Sequence, residues 1–465
     1  MTHPPAPVSN ILERIGNTPM LELRRMDTGP CQLFVKLESE NPAGSVKDRM
    51  AIEMIEAAER HGDIAPGGTF IEATAGNTGL GLALVAAQKG YKLVLVIPDK
   101  MSQDKILHLR AMGAEVILTR SDVKKGHPEY YADMAQRLAT EIPNSFFVDQ
   151  FSNPANPDAH EATTAPEIWE QMEHQVDAIF VGVGSGGTIT GLGRFFRKHS
   201  PGTKIILADP EGSVLAEAVA TGSPASEVGS WVIEGIGEDY IPPNMDLSLI
   251  DGAYVIPDAE ALAVIRELLL REGILAGTST GTLLGAALRY CREQSEPKRV
   301  VTFVADTGNK YLSKAYNDYW LMDQGLLKRD EKGNIYDLIS RRHKDRGVVV
   351  ARPADTLLTA YNQLKLYDVS QLPVLGEDGK LVGLIDENVI LKATAPGIEG
   401  FKVSVEEAMR TDISVFAPSA QLDEILPALE GGDVALIAEG DEFLGLISRI
   451  DVLTYLRGQL RKAES

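Results

Sequence analysis

The sequence has 465 residues, of which 44% are hydrophobic and 24% charged, a balance typical of globular proteins and a length that suits two to four domains. The formal net charge of −21 disfavours nucleic acid as a partner, because an acidic surface repels phosphate backbones. The two cysteines, Cys31 and Cys291, have no CxxC neighbour, which argues against a disulfide framework or a cysteine-built metal site.

The apolar runs near Val94, Phe180 and Val301 have the length of strands, far short of the roughly 18 residues that a transmembrane helix needs. The first ten residues, MTHPPAPVSN, show neither the basic nor the apolar stretch of a secretion signal. We therefore expect a cytoplasmic protein without a membrane partner. The eight histidines are scattered without the spacing of metal ligands, so no metal site is predicted.

From the N-terminus to about residue 325, short apolar runs alternate with helical patterns. The runs end in glycine, proline or charged residues, and they lie at 92–98, 114–119, 177–184, 204–210 and 299–306. Continuous β-branched runs are typical of buried parallel strands, and the helices between them indicate an α/β fold with right-handed crossovers. Gly-rich segments follow several strands, at the edge where open α/β sheets bind ligands.

The segment NPAGSVKDRMA, residues 41–51, begins as a turn and continues as a helix. Ser45 is expected to be the N-cap, and Asp48 places negative charge in the first turn. Lys47 then lies at the positive end of the helix dipole, which lowers the pKa of an ammonium group. A lysine with a lowered pKa is more often a free amine, the form that condenses with an aldehyde into a Schiff base.

Two Gly-rich segments each follow an apolar strand and begin a helix. In ATAGNTGLGLA, residues 73–83, backbone N–H groups and hydroxyls at a helix N-terminus suit a carboxylate. In GVGSGGTITG, residues 182–191, the glycines let the backbone approach a phosphate closely, and Thr188 adds a hydroxyl. The second segment differs from the dinucleotide fingerprint GxGxxG and lacks a P-loop lysine. Each segment alone also fits a turn without a ligand.

Together, these segments resemble the cystathionine β-synthase branch of the cysteine-synthase family, which consists of fold-type II enzymes that use pyridoxal 5′-phosphate (PLP). The resemblance extends over roughly residues 11–327. It includes KLESENPAGSVKDR (36–49), EATAGNTGLGLA (72–83), GVGSGGTITG (182–191) and VIEGIGEDYIP (232–242). It implies two α/β subdomains with open twisted sheets and PLP as the cofactor.

The resemblance implies a role for each matching position. Lys47 holds PLP as a Schiff base, Asn77 contacts the 3′-oxygen of PLP, and Thr307 faces the pyridine nitrogen. The residues implied for the phosphate cradle are Gly184, Ser185, Gly186, Gly187 and Thr188. The residues implied for substrate binding are Thr74, Ala75, Gly76, Thr78, Gln150 and Gly235.

The activity that the resemblance implies is β-replacement, in which the thiol of homocysteine replaces the hydroxyl of serine and gives cystathionine. Release of hydrogen sulfide from cysteine is an implied side reaction. Ala75 stands where this loop commonly carries serine, and Phe151 stands where animal and yeast relatives carry tyrosine. The missing hydroxyls favour O-acetylserine as the donor, because acetate leaves without a well-placed acid, whereas serine stays the donor if both changes are silent.

Other functions remain open. One is a cysteine synthase that uses sulfide, and another is an adenosine-ligand sensor with an inactive PLP domain; the intact Lys47 and Asn77 argue against the sensor. Animal relatives carry an N-terminal haem-binding extension. Here about ten residues precede Ile11 and His3 is the lone candidate ligand, so no haem is predicted.

The composition changes after Gly325. LLKRDEKGN, residues 326–334, is charged and rich in turn residues, as in a linker. We predict a PLP domain at 1–325, a linker at 326–344 and an α+β module at 345–465. Two copies of a helix–strand–turn–strand pattern, at about 345–398 and 403–460, resemble the tandem CBS repeats of a Bateman regulatory module.

Such modules bind adenosine compounds, and the family implies S-adenosylmethionine as the effector. In the second repeat, Ser448 and Asp451 match the S/T-x-x-D pattern, whose aspartate accepts hydrogen bonds from ribose hydroxyls. The first repeat lacks this pattern at 386–389, so at most one good site is expected. The alternative is a module that only supports dimerisation or stability. The family implies a homodimer or homotetramer.

Overall fold

The computed structural model describes residues 7–74, 76–99, 101, 103–124, 126–328, 332–345 and 347–464. The chain divides into two compact units, Met1–Tyr316 and Asn317–Ser465. The domain boundary predicted at residue 325 lies inside the second unit.

The first unit alternates strands and helices along the chain. Its strands are β1 (Met20–Glu22), β2 (Gln32–Leu37), β3 (Thr69–Glu72), β4 (Lys92–Pro98), β5 (Glu115–Thr119), β6 (Ser145–Phe147), β7 (Ala178–Val181), β8 (Lys204–Pro210), β9 (Gly252–Ile256) and β10 (Arg299–Val304). Its helices are α1 (Lys47–His61), α2 (Asn77–Lys89), α3 (Gln103–Ala111), α4 (Tyr131–Glu141), α5 (Ala155–Ala159), α6 (Ala165–Gln171), α7 (Gly187–His199), α8 (Leu215–Thr221), α9 (Asp258–Glu272) and α10 (Thr278–Glu293).

These strands form two open sheets. One sheet has the order β1-β2-β10-β7-β8-β9, in which only the pair β1 and β2 is antiparallel. The other sheet has the order β5-β4-β3-β6 and is parallel throughout. Every residue of β3 and β7 is buried, as expected for strands covered by helices on both faces. The predicted α/β fold is confirmed.

Helix α1 is held against α2 by a close contact of small residues. A Cβ added to Gly81 of α2 would lie 3.2 Å from the Lys47 carbonyl oxygen and 3.0 Å from the Ala51 Cβ. A side chain larger than hydrogen would therefore push the two helices apart. Because α1 begins at Lys47 and α2 at Asn77, this contact fixes the relative position of two predicted site residues.

A buried charge network also anchors α1. The Arg49 guanidinium donates to Glu38 and Glu167, with each nitrogen–oxygen distance 2.7 Å. Lys36 Nζ donates to Glu167 at 2.7 Å and to the Thr18 carbonyl at 2.7 Å. Burial alone would raise the pKa of Glu167, but its hydrogen bonds and attraction to Arg49 and Lys36 lower that pKa to about 2. The network therefore keeps the Glu167 carboxylate ionised at neutral pH.

The second unit has an α+β architecture. Its helices are α11 (Asp318–Asp323), α12 (Leu357–Tyr367), α13 (Glu387–Thr394), α14 (Val405–Ala408), α15 (Leu422–Glu430) and α16 (Arg449–Glu464), and its strands are β11 (Gln371–Leu375), β12 (Leu381–Asp386), β13 (Val415–Phe416), β14 (Ala435–Glu439) and β15 (Glu442–Ile447).

The order α12-β11-β12-α13 recurs as α15-β14-β15-α16. In each copy the two strands pair antiparallel. Within the described ranges of the whole chain, no helix is long and apolar enough to cross a membrane.

Candidate active site

A cavity of about 300 Å³ lies where β3, β7 and β10 end. This position agrees with the general rule that parallel α/β sheets bind ligands at the carboxyl ends of their strands. The predicted site residues that line the cavity are Lys47, Thr74, Gly76, Asn77, Thr78, Gln150, Gly184, Ser185, Thr188 and Gly235. Ala75 and His3 lie outside the described residues.

Lys47 is the first residue of α1 and lines the cavity. Burial lowers the pKa of its ammonium group, and the Asp306 carboxylate opposes part of that shift. The N-cap is Val46, so the prediction of Ser45 was wrong by one residue. The Ser45 hydroxyl nevertheless accepts a hydrogen bond from Lys47 N at 3.2 Å, as a capping side chain does, and Ser45 also forms a β-bridge with Asp306.

The loop before α2 is fixed by a carboxylate that sequence reasoning missed. Buried Glu72 accepts hydrogen bonds from Ala73 N at 2.8 Å and from Gln150 N at 3.1 Å. The Thr78 hydroxyl donates to Gln150 Oε1 at 2.6 Å. Burial raises the pKa of Glu72 to about 7, although both backbone hydrogen bonds favour its charged form. A charged residue at the end of the apolar run TFIE was the available signal.

The Asn77 side chain is held by charged residues from the far end of the unit. Its Nδ2 donates to Asp306 Oδ2 at 2.8 Å, and its Oδ1 accepts from Lys310 Nζ at 2.6 Å. The Tyr311 hydroxyl donates to the same Asp306 oxygen at 2.8 Å. An amide nitrogen has two hydrogens, so Asn77 retains one donor for a ligand. These contacts fix which way the amide points.

The turn before α7 accepts only glycine at several positions. A Cβ on Gly184 would lie 2.7 Å from the Gly235 carbonyl oxygen, and one on Gly187 would lie 1.9 Å from Asn156 Oδ1. Gly186 has φ +85°, a conformation that favours glycine. The first N–H groups of the 13-residue helix α7 have no partner within the helix, which suits a phosphate. With the amine of Lys47 in the same cavity, these residues fit PLP.

Thr307 does not line the cavity. Its hydroxyl accepts a hydrogen bond from Asn309 N at 3.4 Å, and its methyl carbon would lie 3.1 Å from a Cβ on Gly44. Ser279, in the first turn of α10, lines the cavity instead. The segment GTSTGT, residues 277–282, is rich in glycine and hydroxyls like the two segments singled out from the sequence. That composition was the signal for Ser279.

The wall formed by residues 231–238 includes two carboxylates among the described residues that line the cavity, Glu234 and Glu238. Glu234 forms ion pairs with Lys105 and, at 2.8 Å, with Lys314. Phe151 also lines the cavity, and its ring centroid lies 6.1 Å from that of Tyr240. This wall is therefore both aromatic and acidic.

In the second unit, Ser448 and Asp451 contact each other at the start of α16. The Ser448 backbone N–H donates to Asp451 Oδ2 at 2.7 Å, and the Ser448 hydroxyl donates to the same oxygen. In the first copy Asp386 stands at the position of Ser448, as the N-cap of α13, and it accepts a hydrogen bond from Val389 N at 2.8 Å. Across the residues that the structure describes, no group of three or more His, Cys, Asp or Glu side chains could hold a metal ion.

Comparison with known proteins agrees with these features. A model of pyridoxal-phosphate dependent enzymes matches residues 11–306, and a CBS-domain model matches residues 337–395. The cystathionine β-synthase of Apis mellifera is 38% identical over 459 residues, covering 96% of this chain and 90% of the relative. That of Saccharomyces cerevisiae is 31% identical, covering 96% and 97% respectively.

A solved structure described as a hydrogen sulfide-producing enzyme from Fusobacterium nucleatum is also similar. It is 37% identical, has a TM-score of 0.61, and covers 66% of this chain and 98% of its own. A family model that is specific for this cofactor matches most of the chain. The relatives that match over nearly their full length are cystathionine β-synthases, and together these findings show the family. The chain is a pyridoxal-phosphate-dependent enzyme and belongs to the cystathionine β-synthase family.

Proposed function

We propose that the enzyme condenses L-serine with L-homocysteine to form cystathionine and water. The observation that carries this proposal is the cavity itself. It combines the Lys47 amine, whose pKa is lowered, with the N-termini of α2 and α7. Two helix N-termini provide separate sites for the phosphate of PLP and the carboxylate of an amino acid.

The cofactor contacts follow from the residues that line the cavity. Lys47 would hold PLP through its amine, the start of α7 with Ser185 and Thr188 would hold the phosphate, and Asn77 Nδ2 would donate to the 3′-oxygen. We propose that Ser279, rather than Thr307, faces the pyridine nitrogen. Bound PLP supplies an electron sink that stabilises negative charge at the substrate α-carbon.

The chain's own residues orient the substrate and move its protons. Thr74, Gly76, Thr78 and Gln150 bind the carboxylate of serine at the start of α2. Once serine has displaced it, Lys47 Nζ removes the α-proton and protonates the β-oxygen, which leaves as water. The homocysteine thiol then gives its proton to Lys47 Nζ as its sulfur forms the new bond to the β-carbon, and Lys47 Nζ delivers that proton to the α-carbon.

O-acetylserine is an alternative donor. Phe151 lines the cavity beside Gln150 and brings no hydroxyl to assist the departure of a poor leaving group. Sulfide is an alternative acceptor, favoured by the structural relative described as hydrogen sulfide-producing. Both alternatives use the same Lys47 chemistry.

We also propose that the second unit binds an adenosine-containing effector such as S-adenosylmethionine through Ser448 and Asp451. The CBS-domain match at 337–395 supports a regulatory unit of this kind. We further propose that the enzyme is a homodimer or homotetramer in the cytoplasm, as the family implies.

The direct test is product formation by the purified holoenzyme with homocysteine and either serine or O-acetylserine, followed by mass spectrometry of cystathionine. We expect cystathionine from serine. Product from O-acetylserine alone would replace serine as the donor. No cystathionine from either donor, with cysteine formed from sulfide, would replace the proposed function by cysteine synthesis.

A further inference from the structure

Glu238 is a cavity-lining carboxylate that the reaction described above does not use. Its main chain is held in place on both sides: Glu238 N donates to the Ser213 hydroxyl at 3.1 Å, and Glu238 O accepts from Val214 N at 3.1 Å. The adjacent Gly237 N donates to the Val183 carbonyl at 2.8 Å. The backbone at this position is therefore fixed at the cavity wall.

The carboxyl group of Glu238 has no cationic partner among the described residues. Among the described residues, no cation forms an ion pair with its carboxylate, whereas Glu234 on the same wall is paired with Lys105 and Lys314. Burial raises the pKa of Glu238 to about 8, and the negative charge of Asp239 adds to the shift. A cation within about 4–6 Å would favour the ionised form and gain from the pairing.

The other groups that line the cavity indicate which cation would pair with Glu238. The helix N-termini of α2 and α7 accept anionic groups, and Lys47 is committed to the cofactor and the α-proton. The amino group of the first amino acid would be joined to the cofactor, so that substrate would bring no free ammonium group. A second substrate that is itself an amino acid brings a free α-ammonium group, and Glu238 is the carboxylate available to it.

We propose that Glu238 binds the α-ammonium group of the second substrate and thereby selects a thiol-bearing amino acid over thiols that lack an amino group. This inference rests on the proposed function and names the determinant of its acceptor. Sulfide and simple thiols bring no ammonium group, so they gain nothing from pairing with the Glu238 carboxyl.

The test compares homocysteine with 4-mercaptobutanoate, which has the same thiol and carboxylate but no amino group, and with sulfide. In the holoenzyme we expect Glu238→Gln to raise the KM for homocysteine by about tenfold or more, with kcat changed less than about twofold. The kcat/KM ratio of homocysteine to 4-mercaptobutanoate should fall by the same factor. The KM for sulfide should stay unchanged or fall.

Asp239→Asn is the matched control, because it makes the same carboxyl-to-amide change at the adjacent, exposed residue. It should leave the selectivity unchanged. Cofactor absorbance, and its change on adding the first substrate, should be the same in all three proteins if the site is intact.

Three outcomes would overturn the inference, and they distinguish its failure from that of the proposed function. Cystathionine formation by the wild type with an unchanged homocysteine KM in Glu238→Gln, or an equal loss for both thiols, would overturn it alone. A wild type that uses sulfide but not homocysteine would overturn the proposed function and this inference together.

Discussion

Two partly buried lysines, Lys47 and Lys310, lie near the cofactor cavity, and their different contacts indicate different roles. Burial lowers the pKa of both Lys47 and Lys310. Lys310 donates to Asn77 Oδ1 at 2.6 Å and is attracted to Asp306, which restrains its ammonium group. Lys47 lines the cavity itself. We therefore expect Lys47 to be the amine that a cofactor aldehyde reaches, whereas Lys310 holds the side chain of Asn77.

The assignment of the pyridine partner makes a prediction for two hydroxyl residues. Ser279→Ala should lower turnover by about tenfold, the effect of one lost hydrogen bond of about 1.4 kcal/mol. Thr307→Val should leave turnover near that of the wild type, because Thr307 does not line the cavity. Steady-state cystathionine formation measures both variants. A larger loss in Thr307→Val than in Ser279→Ala would restore Thr307 as the partner.

The network around Arg49 predicts an acid-sensitive stability. The pKa of Glu167 is about 2 in the folded protein, below the ordinary value of 4.5. The stabilisation is therefore fully present above about pH 4.5, and it is lost as pH falls towards 2. Glu167→Gln should lower the free energy of unfolding at neutral pH by about 3 kcal/mol, because Arg49 and Lys36 lose a buried partner.

Urea unfolding from pH 3 to pH 7 measures this effect. The matched control is Glu170→Gln on the same helix α6, where the carboxylate is 73% exposed and its loss should cost less than about 1 kcal/mol. Equal effects of the two substitutions, or an unchanged pH dependence in Glu167→Gln, would argue against the network.

At the scale of elements, the site is built from helices that begin where buried strands end. Helices α2, α7 and α10 all begin at the cavity. The continuous apolar runs at 92–98 and 204–210 predicted β4 and β8 with correct bounds, because charge at one end and proline at the other mark where burial stops. Local patterns of this kind were sufficient for the fold and for the segments after β3 and β7.

Contacts between distant segments could not be predicted in the same way. Asp306 and Lys310 meet Asn77 across more than two hundred residues, and no local pattern pairs them. The β-bridge between Ser45 and Asp306 likewise joins residues that are far apart in sequence. Helix propensity describes only neighbours in sequence, whereas these placements depend on tertiary packing.

The prediction at the scale of elements concerns Gly187, the first residue of α7, next to the turn that is proposed to hold the phosphate of PLP. Gly187→Ala should raise the dissociation constant of PLP by about tenfold or more, because its Cβ would lie 1.9 Å from Asn156 Oδ1 and displace the phosphate cradle. Equilibrium dialysis of the cofactor measures the change. Gly202→Ala is the control, since nothing lies within 4 Å of its added Cβ. Equal affinity of the two variants for PLP would contradict the proposal that this turn holds the phosphate.

At the scale of the whole molecule, the second unit is expected to sense an adenosine compound. Calorimetry of the full-length enzyme with S-adenosylmethionine should show binding that Asp451→Asn weakens by about tenfold or more, because the ribose loses a charged acceptor. Asp386→Asn is the control, as Asp386 also accepts a hydrogen bond at a helix start but lacks the S/T-x-x-D pattern. Equal losses in both variants would place the ligand elsewhere, and no binding to the wild type would leave the unit a structural one.

The most direct test of the proposed mechanism is to identify the lysine that carries the cofactor. Borohydride reduction of the holoenzyme, followed by peptide mapping by mass spectrometry, locates the pyridoxyl group on the chain. We expect the pyridoxyl group on the peptide that contains Lys47. We also expect this label to be lost when serine is added before reduction, because the substrate then displaces the Lys47 amine. Without added serine, a pyridoxyl group on Lys310, or on no lysine of the chain, would contradict the assignment of Lys47 as the cofactor-binding lysine.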